Sequence, residues 1–216
     1  MKEIAIGKKI LVANDEYAAA NRRWFADNKK LCLNMISSPG SGKTTILVRT
    51  ITDLAGKVRI GVIEGDIRTD IDAQRIRATK APAIQIETEG ACHLSAAQVS
   101  GALGKLGGDG LDVIIIENVG NLVCPSAFEL GESAKIAVLS VAEGDDKPAK
   151  YPAIFAKAKV VIINKIDLLA AVDFDIERAK ADILKLNGGA EIFAVSAKTG
   201  QGMAEWYDWL QREKVP

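Results

Sequence analysis

The amino-acid sequence predicts an α/β fold, a mostly parallel β-sheet covered by helices on both faces. Apolar segments of strand length alternate with helical stretches along almost the whole chain, which is the pattern of parallel strands joined by crossover helices. A glycine-containing loop, residues 37–44, separates the first strand from a helix, the order in which α/β proteins build a phosphate-binding loop. A chain of 216 residues is long enough for one such domain with a full core.

The composition supports a globular protein and excludes several classes of partner. Apolar residues make up 48% of the chain, and 28 basic residues balance 28 acidic ones, so the charge gives no reason to expect nucleic acid or a membrane. No apolar run is long enough to span a bilayer, and residues 1–5 lack the apolar core of a signal peptide. Three cysteines are an odd number that disfavours a disulfide framework, so we expect a cytoplasmic protein.

Residues 1–29 are predicted to form an N-terminal helical extension of the nucleotide-binding domain, residues 30–216. Asn14 or Asp15 can cap a helix that ends near Asn28. One apolar stripe at helical spacing consists of Tyr17, Ala20, Trp24 and Phe25. We expect this helix to pack on its own domain; binding of a partner is the alternative.

The other elements follow from the same patterns. Strands are predicted at residues 31–36, 58–63, 83–86, 111–118, 134–142, 159–163 and 190–195. Helices are predicted at residues 45–54, 72–79, 88–106, 152–156, 174–186 and 202–212. The strand at 111–118 is almost entirely apolar until Glu117, which is typical of a buried parallel strand that delivers a carboxylate to the ligand-binding edge of a sheet.

The loop at residues 37–44, Ser-Ser-Pro-Gly-Ser-Gly-Lys-Thr, predicts a P-loop NTPase fold. Its backbone N–H groups and the positive end of the next helix can face a β-phosphate. Lys43 can reach the β- and γ-phosphate oxygens, and the Thr44 hydroxyl can bind Mg²⁺. Ser37 stands where the usual pattern has glycine. The residues expected around the phosphates are Pro39, Gly40, Ser41, Gly42, Lys43, Thr44 and Thr45.

Two later strand ends predict that the base is guanine, and hence that the ligand is GTP or GDP. Residues 164–167, Asn-Lys-Ile-Asp, end one strand, and residues 196–198, Ser-Ala-Lys, end another. Asp167 can accept hydrogen bonds from the N1–H and the exocyclic amine of guanine. Adenine has neither donor, and it would leave buried polar groups unpaired at a cost of about 1–3 kcal/mol each.

The other residues of these two motifs are expected to complete the base pocket. Asn164 can tie neighbouring loops together, and the stem of Lys165 can lie along the base and ribose. The backbone N–H of Ala197 can face the guanine carbonyl. Ser196 and Lys198 belong to the same loop, which Lys198 can help to hold.

Acidic residues follow the second predicted strand, in residues 64–72. Mg²⁺ prefers hard oxygen ligands, so this segment, which carries three aspartates and one glutamate, is suited to metal–phosphate chemistry. A solvated acidic loop is the alternative.

One cysteine–histidine pair and one later cysteine are candidate metal ligands. Cys92 adjoins His93, the one histidine in the sequence, and Cys124 precedes a proline in a second loop. Thiolate and imidazole suit Ni²⁺ or Zn²⁺, and three ligands leave room for a further one. Burial without metal is the alternative for a cysteine, and Cys32, inside the first strand, is expected to be core.

Taken together, these motifs resemble the HypB family of hydrogenase nickel-incorporation GTPases, metallochaperones of the SIMIBI group of P-loop GTPases. The resemblance covers nearly the whole chain and is most specific at residues 117–125, Glu-Asn-Val-Gly-Asn-Leu-Val-Cys-Pro. The other matching segments are residues 37–45, 64–66, 90–94, 143–147 and 164–167.

The resemblance implies roles for several residues. Cys92, His93 and Cys124 are implied to bind metal at the interface of a homodimer that forms with GTP. Asp66 and Asp72 are implied to lie near Mg²⁺, Glu117 near the γ-phosphate, and Lys147 or Lys150 to reach the nucleotide of the partner subunit. A nickel-carrying accessory protein and the hydrogenase large subunit are the implied partners. Some family members have a Cys-x-x-Cys-Gly-Cys nickel site or a histidine-rich tract near the N-terminus, and this sequence has neither, so we expect only the GTPase-domain metal site.

The expected activity is slow hydrolysis of GTP to GDP and phosphate, used as a switch for metal delivery. Lys43 and Mg²⁺ would offset the charge of the γ-phosphate, and Asp72 is the candidate to position the attacking water. Two alternatives remain. One is a related GTPase that serves another metalloenzyme, such as urease or a cobalamin-dependent mutase. The other is a nucleotide-switched scaffold without metal delivery.

Overall fold

A seven-stranded parallel sheet runs through the part of the chain that the computed structural model describes, residues 3–66, 71–88 and 90–214. The side chains of residues 3–10 are outside this description. The strands are β1 (Leu31–Ser37), β2 (Ile60–Asp66), β3 (Ala83–Glu87), β4 (Val113–Gly120), β5 (Ala134–Ser140), β6 (Val160–Asn164) and β7 (Glu191–Ala194). Their spatial order is β3-β2-β4-β1-β5-β6-β7, and every neighbouring pair is parallel. The predicted fold class is confirmed.

Helices connect these strands. They are α1 (Glu3–Asp27), α2 (Lys43–Asp53), α3 (Ile71–Arg77), α4 (Ala96–Leu106), α5 (Cys124–Ala127), α6 (Lys147–Lys150), α7 (Pro152–Lys157), α8 (Ile176–Leu186) and α9 (Met203–Glu213), with short 3-10 helices at Val141–Glu143 and Ile166–Ala171. Among the described residues, no helix combines the length and the apolar character needed to cross a membrane.

The central strand β1 is buried along its whole length because both faces of the sheet are covered. Successive side chains of a strand point to opposite faces. Leu33 and Met35 accordingly pack in one apolar cluster with residues of α2 and α9. Cys32 packs with α1 and α4, and Ile36 packs with α7 and α8. Cys32 is therefore a core residue, as predicted.

Helix α1 begins at Glu3, so the predicted start at Asn14 or Asp15 was wrong. Asn14 instead pairs with a backbone group of a different helix. Its Oδ1 accepts a hydrogen bond from the N–H of Ala96, the first residue of α4, at 2.9 Å. Asn14 Nδ2 also donates to the carbonyl of Glu129 at 2.7 Å. The polar side chain is buried because it pairs with backbone groups of its own domain.

The buried face of α1 differs from the predicted apolar stripe. Tyr17 and Ala20 are exposed, whereas Trp24 and Phe25 pack against the domain as expected. The residues that are actually buried at helical spacing are Asn14, Ala18, Asn21 and Phe25. Half of this face is polar, so the spacing of apolar residues in the sequence does not indicate it.

Two boundaries near the ligand-binding edge also differ from prediction. β2 continues to Asp66, so residues 64–66 belong to the strand rather than to the loop after it. α4 begins at Ala96 and not near Thr88, because Ser95 forms a capping box with Gln98. Residues 90–94 therefore form a loop. In the acidic segment, Asp70 lies outside the described residues.

Candidate nucleotide and metal site

The phosphate loop is shaped by two glycines with left-handed backbone conformation. Gly40 has φ +76° and Gly42 has φ +98°, values that strain any side-chain-bearing residue. A Cβ atom on Gly42 would lie 2.5 Å from Nδ2 of Asn164. Glycine at this position thus allows both the loop turn and the close approach of β6.

Lys43 and Ser37 contact each other inside this loop. Lys43 Nζ donates to Ser37 Oγ at 2.8 Å, and Ser41 Oγ donates to the same oxygen at 2.5 Å. Ser37, which occupies the place of the usual glycine, therefore orders the lysine with its hydroxyl. Burial lowers the pKa of the Lys43 ammonium, and the charges of Glu117 and Asp72 oppose this shift.

Two buried carboxylates lie side by side at the ends of β2 and β4. Glu64 and Glu117 are paired across the two strands, and Thr44 Oγ1 donates to Glu117 Oε1 at 2.8 Å. The Oε2 atoms of both glutamates are buried without a hydrogen-bond partner among the described residues. Burial, and then the neighbouring Glu117, raises the pKa of Glu64 to about 8; burial raises that of Glu117 to about 7 against the lowering effect of Lys43. Unpaired buried carboxylate oxygens beside a threonine hydroxyl fit a hard divalent cation such as Mg²⁺.

Asp66 and Asp72 border the same space. Asp72 Oδ1 accepts from Arg75 Nη1 at 3.1 Å, and Arg75 Nη2 donates to Thr45 Oγ1 at 3.0 Å. This space is a cavity of about 440 Å³. Its lining includes Pro39, Gly40, Gly42, Lys43, Thr44, Thr45, Glu64, Gly65, Asp66, Asp72, Arg75, Glu117, Asn118, Val119, Gly120 and Lys165.

A second cavity, of about 290 Å³, shares Gly42, Thr45 and Lys165 with the first and extends toward β6 and β7. The rest of its lining is Asn164, Asp167, Leu168, Ala197 and Lys198. The carboxylate of Asp167 is oriented by Ser196, whose Oγ donates to Asp167 Oδ1 at 2.6 Å. The two guanine motifs, about thirty positions apart in the sequence, thus form one pocket that adjoins the phosphate loop.

Asn164 joins three loops of this pocket. Its Nδ2 donates to the carbonyl of Ser41 at 2.9 Å, and its Oδ1 accepts from the N–H of Ala197 at 3.2 Å. Lys165 Nζ donates to the carbonyl of Gly40 at 2.7 Å, so the stem of Lys165 spans the mouth of the loop. The Ala197 N–H, which we expected to face the guanine carbonyl, is used by Asn164 instead. The expected tie between loops is present.

The three candidate metal ligands converge within this single chain. One donor atom each from Cys92, His93 and Cys124 can be chosen so that all lie within 4.8 Å of one another. Cys92 Sγ lies 3.6 Å from His93 Nδ1. Burial lowers the pKa of His93, which favours the neutral imidazole that binds metals. Hydrogen bonding with Cys92, and then burial, raises the pKa of the Cys124 thiol.

Local contacts hold these ligands in place. Asn121 Oδ1 accepts from the N–H groups of Val123 at 2.7 Å and Cys124 at 3.3 Å, which shapes the turn into α5. The His93 ring stacks on Phe128 with a centroid distance of 3.8 Å and an interplanar angle of 29°. The imidazole is therefore oriented by an aromatic face of the opposite loop.

Lys147 and Lys150 lie outside the lining of both cavities. Lys147 Nζ stands 5.3 Å from the centroid of the Tyr151 ring, and Lys150 pairs with Asp146 at 2.5 Å. Both lysines are on the short helix α6, near the surface.

Sequence reasoning missed three residues of this region as site residues: Glu64, Arg75 and Phe128. Glu64 was visible as an acid at a strand end, but its pairing with Glu117 depends on strand register, which the sequence does not reveal. Arg75 lies one helical turn after Asp72, a spacing at which opposite charges meet. Nothing in the sequence connects Phe128 with His93.

The chain is similar to known proteins over most of its length. Residues 32–194 match the family model described as CobW/HypB/UreG, nucleotide-binding domain. The hydrogenase maturation factor HypB of Azotobacter vinelandii is 50% identical over 213 residues, which cover 98% of this chain and 70% of that protein. The hydrogenase/urease maturation factor HypB of Helicobacter pylori J99 is 42% identical over 217 residues, 99% of this chain and 89% of that protein. A crystal structure of HypB from Helicobacter pylori in complex with nickel superposes with a TM-score of 0.88 at 41% identity, covering 93% of this chain and 96% of that one.

Proposed function

The chain belongs to the CobW/HypB/UreG family of nucleotide-binding proteins, a family of P-loop GTPases, and from this premise we propose that it is a GTP-hydrolysing metallochaperone for nickel–iron hydrogenase maturation. One observation carries the proposal. Cys124 lies four residues beyond the end of β4, and Glu117 of the same strand accepts a hydrogen bond from Thr44 of the phosphate loop. A site that responds to the γ-phosphate and a site suited to a soft metal ion are therefore parts of one segment.

The phosphate loop is proposed to bind the triphosphate of GTP. Gly40, Ser41, Gly42 and Thr45 would contribute backbone N–H groups, and Pro39 would shape the loop entrance. Thr44, Asp66 and Asp72 are the residues that would hold Mg²⁺, which supplies positive charge to the β- and γ-phosphate oxygens when bound. The unpaired oxygens of Glu64 and Glu117 support a cation at this place.

Three side chains are proposed to act in hydrolysis. Lys43, buried beside the loop, would offset negative charge on the γ-phosphate as it develops. Asp72 would accept a hydrogen bond from the attacking water and orient it, and Glu117 would border the γ-phosphate. The hydrogen bond between Asp72 and Arg75 supports an aspartate side chain aimed into the cavity.

Selection of guanine is proposed to depend on Asp167. Its carboxylate would accept from the N1–H and the amine of the base, with Ser196 holding one carboxylate oxygen. Asn164, Lys165, Ala197 and Lys198 would complete the pocket around the base and ribose. The cavity that these residues line supports the proposal because it adjoins the phosphate loop.

The cargo is proposed to be Ni²⁺, with Zn²⁺ as a second ion that the same ligands suit. Two cysteine thiolates and one neutral histidine match the preferences of both ions. Three ligands leave a coordination position open for a ligand from a second copy of the chain in a GTP-dependent homodimer. Exposure of Cys92 supports such sharing because an exposed residue is accessible to a second copy.

The partners are proposed from the relatives. Because the Azotobacter vinelandii relative is a hydrogenase maturation factor, the acceptor is proposed to be the hydrogenase large subunit. A nickel-carrying accessory protein would supply the ion. GTP would favour the dimer that holds metal, and hydrolysis would loosen it.

Two measurements test the proposed function. Phosphate release from GTP, with and without Mg²⁺, is compared between the unmodified protein and Lys43→Ala, with Lys185→Ala as the control because Lys185 is an exposed lysine of α8. Ni²⁺ affinity is then measured with GDP and with a non-hydrolysable GTP analogue. We expect Mg²⁺-dependent turnover that Lys43→Ala abolishes, together with different Ni²⁺ affinities in the two nucleotide states.

Other outcomes would identify a different kind of protein. Absence of turnover with Mg²⁺ would indicate a nucleotide-switched scaffold. Equal Ni²⁺ affinity with GDP and with the analogue would remove the proposed link between hydrolysis and metal delivery.

A further inference from the structure

The side chain of Asn118 is buried between the nucleotide and metal segments, and every polar atom of its amide is used. Only 2% of the residue is exposed. Oδ1 accepts from the N–H of Leu94 at 3.3 Å and from the N–H of Val119 at 3.1 Å. Nδ2 donates to Asn34 Oδ1 at 3.2 Å. A buried amide with this many partners is held in one orientation.

In the sequence, Asn118 adjoins a residue of the candidate nucleotide site, and its partner Leu94 adjoins a candidate metal ligand. Asn118 directly follows Glu117, the carboxylate that accepts from Thr44 of the phosphate loop. Leu94 directly follows His93, a candidate metal ligand. The hydrogen bond from Leu94 to Asn118 therefore joins the residues immediately adjacent to a nucleotide group and to a metal ligand.

Leu94 is also fixed from its other side by the end of β2. Its side chain is fully buried, and a Cβ atom on Gly65 would lie 2.8 Å from Leu94 Cδ1. Gly65 and Asn118 both line the cavity beside the phosphate loop. The loop that carries Cys92 and His93 is thus anchored at Leu94 to the ends of both strands that carry the buried glutamates.

The Nδ2 atom of Asn118 bonds Asn34, a residue of the buried core. Asn34, on the central strand, donates from Nδ2 to Glu132 Oε1 at 2.9 Å. Glu132 in turn pairs with Lys135 at 2.7 Å, and both side chains are almost completely buried. Because Asn34 is buried and held by Glu132, a shift of the segment after Glu117 would disturb the hydrogen bond between Asn118 and Asn34.

We propose that Asn118 is a positioning residue that couples the nucleotide state to the geometry of the metal site. It does not contact the cargo; it acts through Leu94, by moving or releasing the loop of Cys92 and His93 when residues 117–120 respond to the γ-phosphate. This inference rests on the proposed function, which requires two nucleotide states that differ in metal affinity. Coupling of this kind needs a physical element whose arrangement both sites bias, and Asn118 is that element.

The test compares one ratio in three proteins. The ratio is the Ni²⁺ dissociation constant with GDP divided by that with a non-hydrolysable GTP analogue, measured by competition with a chromophoric chelator. The proteins are the unmodified chain, Asn118→Ala and Asn14→Ala. Asn14 is a matched control because it is also a buried asparagine, and it bonds the N–H of Ala96, two residues after Leu94, without touching residues 117–120.

The expected result is a change of the ratio in Asn118→Ala alone. Coupled sites typically differ by about 5- to 150-fold between states, and we expect the ratio in Asn118→Ala to fall to within about twofold of one. Because Asn118 lines the cavity beside the phosphate loop, the GDP affinity of Asn118→Ala is measured in parallel, and both Ni²⁺ dissociation constants are determined at saturating nucleotide. Asn14→Ala should lower stability and keep the ratio of the unmodified protein.

The outcomes separate this inference from the proposed function. If the unmodified ratio is one, the proposed function fails and the inference falls with it. If the unmodified protein is coupled and Asn118→Ala is equally coupled, only the inference is overturned.

Hydrogen–deuterium exchange of the Leu94 amide in the unmodified protein gives a reading that needs no variant. Protection of this amide should differ between the GDP and analogue states. Equal protection would overturn the role of Asn118 even if the alanine variant did not fold.

Discussion

Asn164 Nδ2 donates to the carbonyl of Ser41 over 2.9 Å, so the strand that ends in the guanine motif directly holds the phosphate loop. The same side chain accepts from the N–H of Ala197. One buried amide therefore joins the candidate base pocket directly to the candidate phosphate pocket.

Asn164→Ala should weaken nucleotide binding through both ends of the ligand. The Ser41 carbonyl and the Ala197 N–H would lose their partner, at roughly 1–3 kcal/mol, which corresponds to about 5- to 150-fold in affinity. Calorimetric titration with GDP measures this. Asn187→Ala is the control, because Asn187 also donates to a backbone carbonyl, that of Ala158, but remote from the site. Equal affinities in the two variants would contradict the joining role of Asn164.

Asp167→Asn should change the preferred base from guanine to xanthine. The asparagine Nδ2 can donate to the second carbonyl of xanthine, but it cannot accept from the amine of guanine. GTP affinity should fall by about tenfold or more while xanthosine triphosphate affinity rises. Competition binding with both nucleotides measures the exchange. Asp173→Asn, an exposed neighbour, should leave the preference unchanged; retained preference for GTP in Asp167→Asn would contradict the assignment.

Cys124→Ala should weaken Ni²⁺ binding by about tenfold or more and leave GDP affinity within about threefold of the original value. The reason is that Cys124 is one of the three candidate metal ligands and lines neither of the two cavities at the candidate nucleotide site. Ni²⁺ titration, followed through the thiolate-to-nickel absorption, measures the loss. Cys32→Ala removes a fully buried thiol and should lower stability without changing metal affinity. Loss of both metal and nucleotide in Cys124→Ala would instead indicate a structural cysteine.

Lys135→Met should destabilise the fold by roughly 3–5 kcal/mol, because it leaves the Glu132 carboxylate buried without its cation. Lys159→Met is the matched control: Lys159 pairs with Glu213 at the same 2.7 Å but is about half exposed, so its loss should cost less than about 1 kcal/mol. Urea unfolding measures both. Similar losses of unfolding free energy in the two variants would show that burial does not determine how much an ion pair contributes to stability.

Acid should remove the stabilisation that Glu132 provides. Burial raises the pKa of Glu132, but Lys135 and the Asn34 amide lower it more, so the pKa in the folded state lies below the ordinary value. A lowered carboxyl pKa stabilises the folded state above the unfolded pKa of about 4.3, and this stabilisation disappears as the pH falls through the folded pKa. Unfolding of the unmodified protein and Glu132→Gln is compared from about pH 7 to about pH 3. The difference in unfolding free energy between the two proteins should become smaller only at the acid end of this pH range. A difference that stays constant over the whole range would refute the stabilising role of the Glu132 carboxylate.

Much of the site could be predicted from sequence because its chemistry is concentrated in short, contiguous motifs. The loop at residues 37–44 and the segment at 164–167 carry their functional groups at fixed spacing, and the structure brings both to one edge of the sheet. The pairing of Glu64 with Glu117 could not be predicted, because it depends on strand register. The Asn118 contact with Leu94 joins residues 24 positions apart through a side chain whose orientation only the folded core determines.

The N-terminal helix shows where periodicity fails. The sequence predicts a start at Asn14 or Asp15, because both residues are good N-caps, but the helix begins eleven or twelve residues earlier, at Glu3. Asn14 and Asn21 are buried because each pairs with backbone groups of other segments, Glu129, Ala96 and Leu130. Hydrogen bonds to residues that are distant in the sequence leave no signal in the local sequence pattern.

The strand order has a practical consequence. β1 and β5 separate β3, β2 and β4, which precede the acidic segment and the candidate metal ligands, from β6 and β7, which precede the guanine motifs. The base preference can therefore be re-engineered on one half of the sheet without altering the other. In a crude cell extract, a xanthine-dependent version of this protein could be started and stopped by its own nucleotide while every other GTPase continued on GTP, which would isolate its contribution to enzyme maturation.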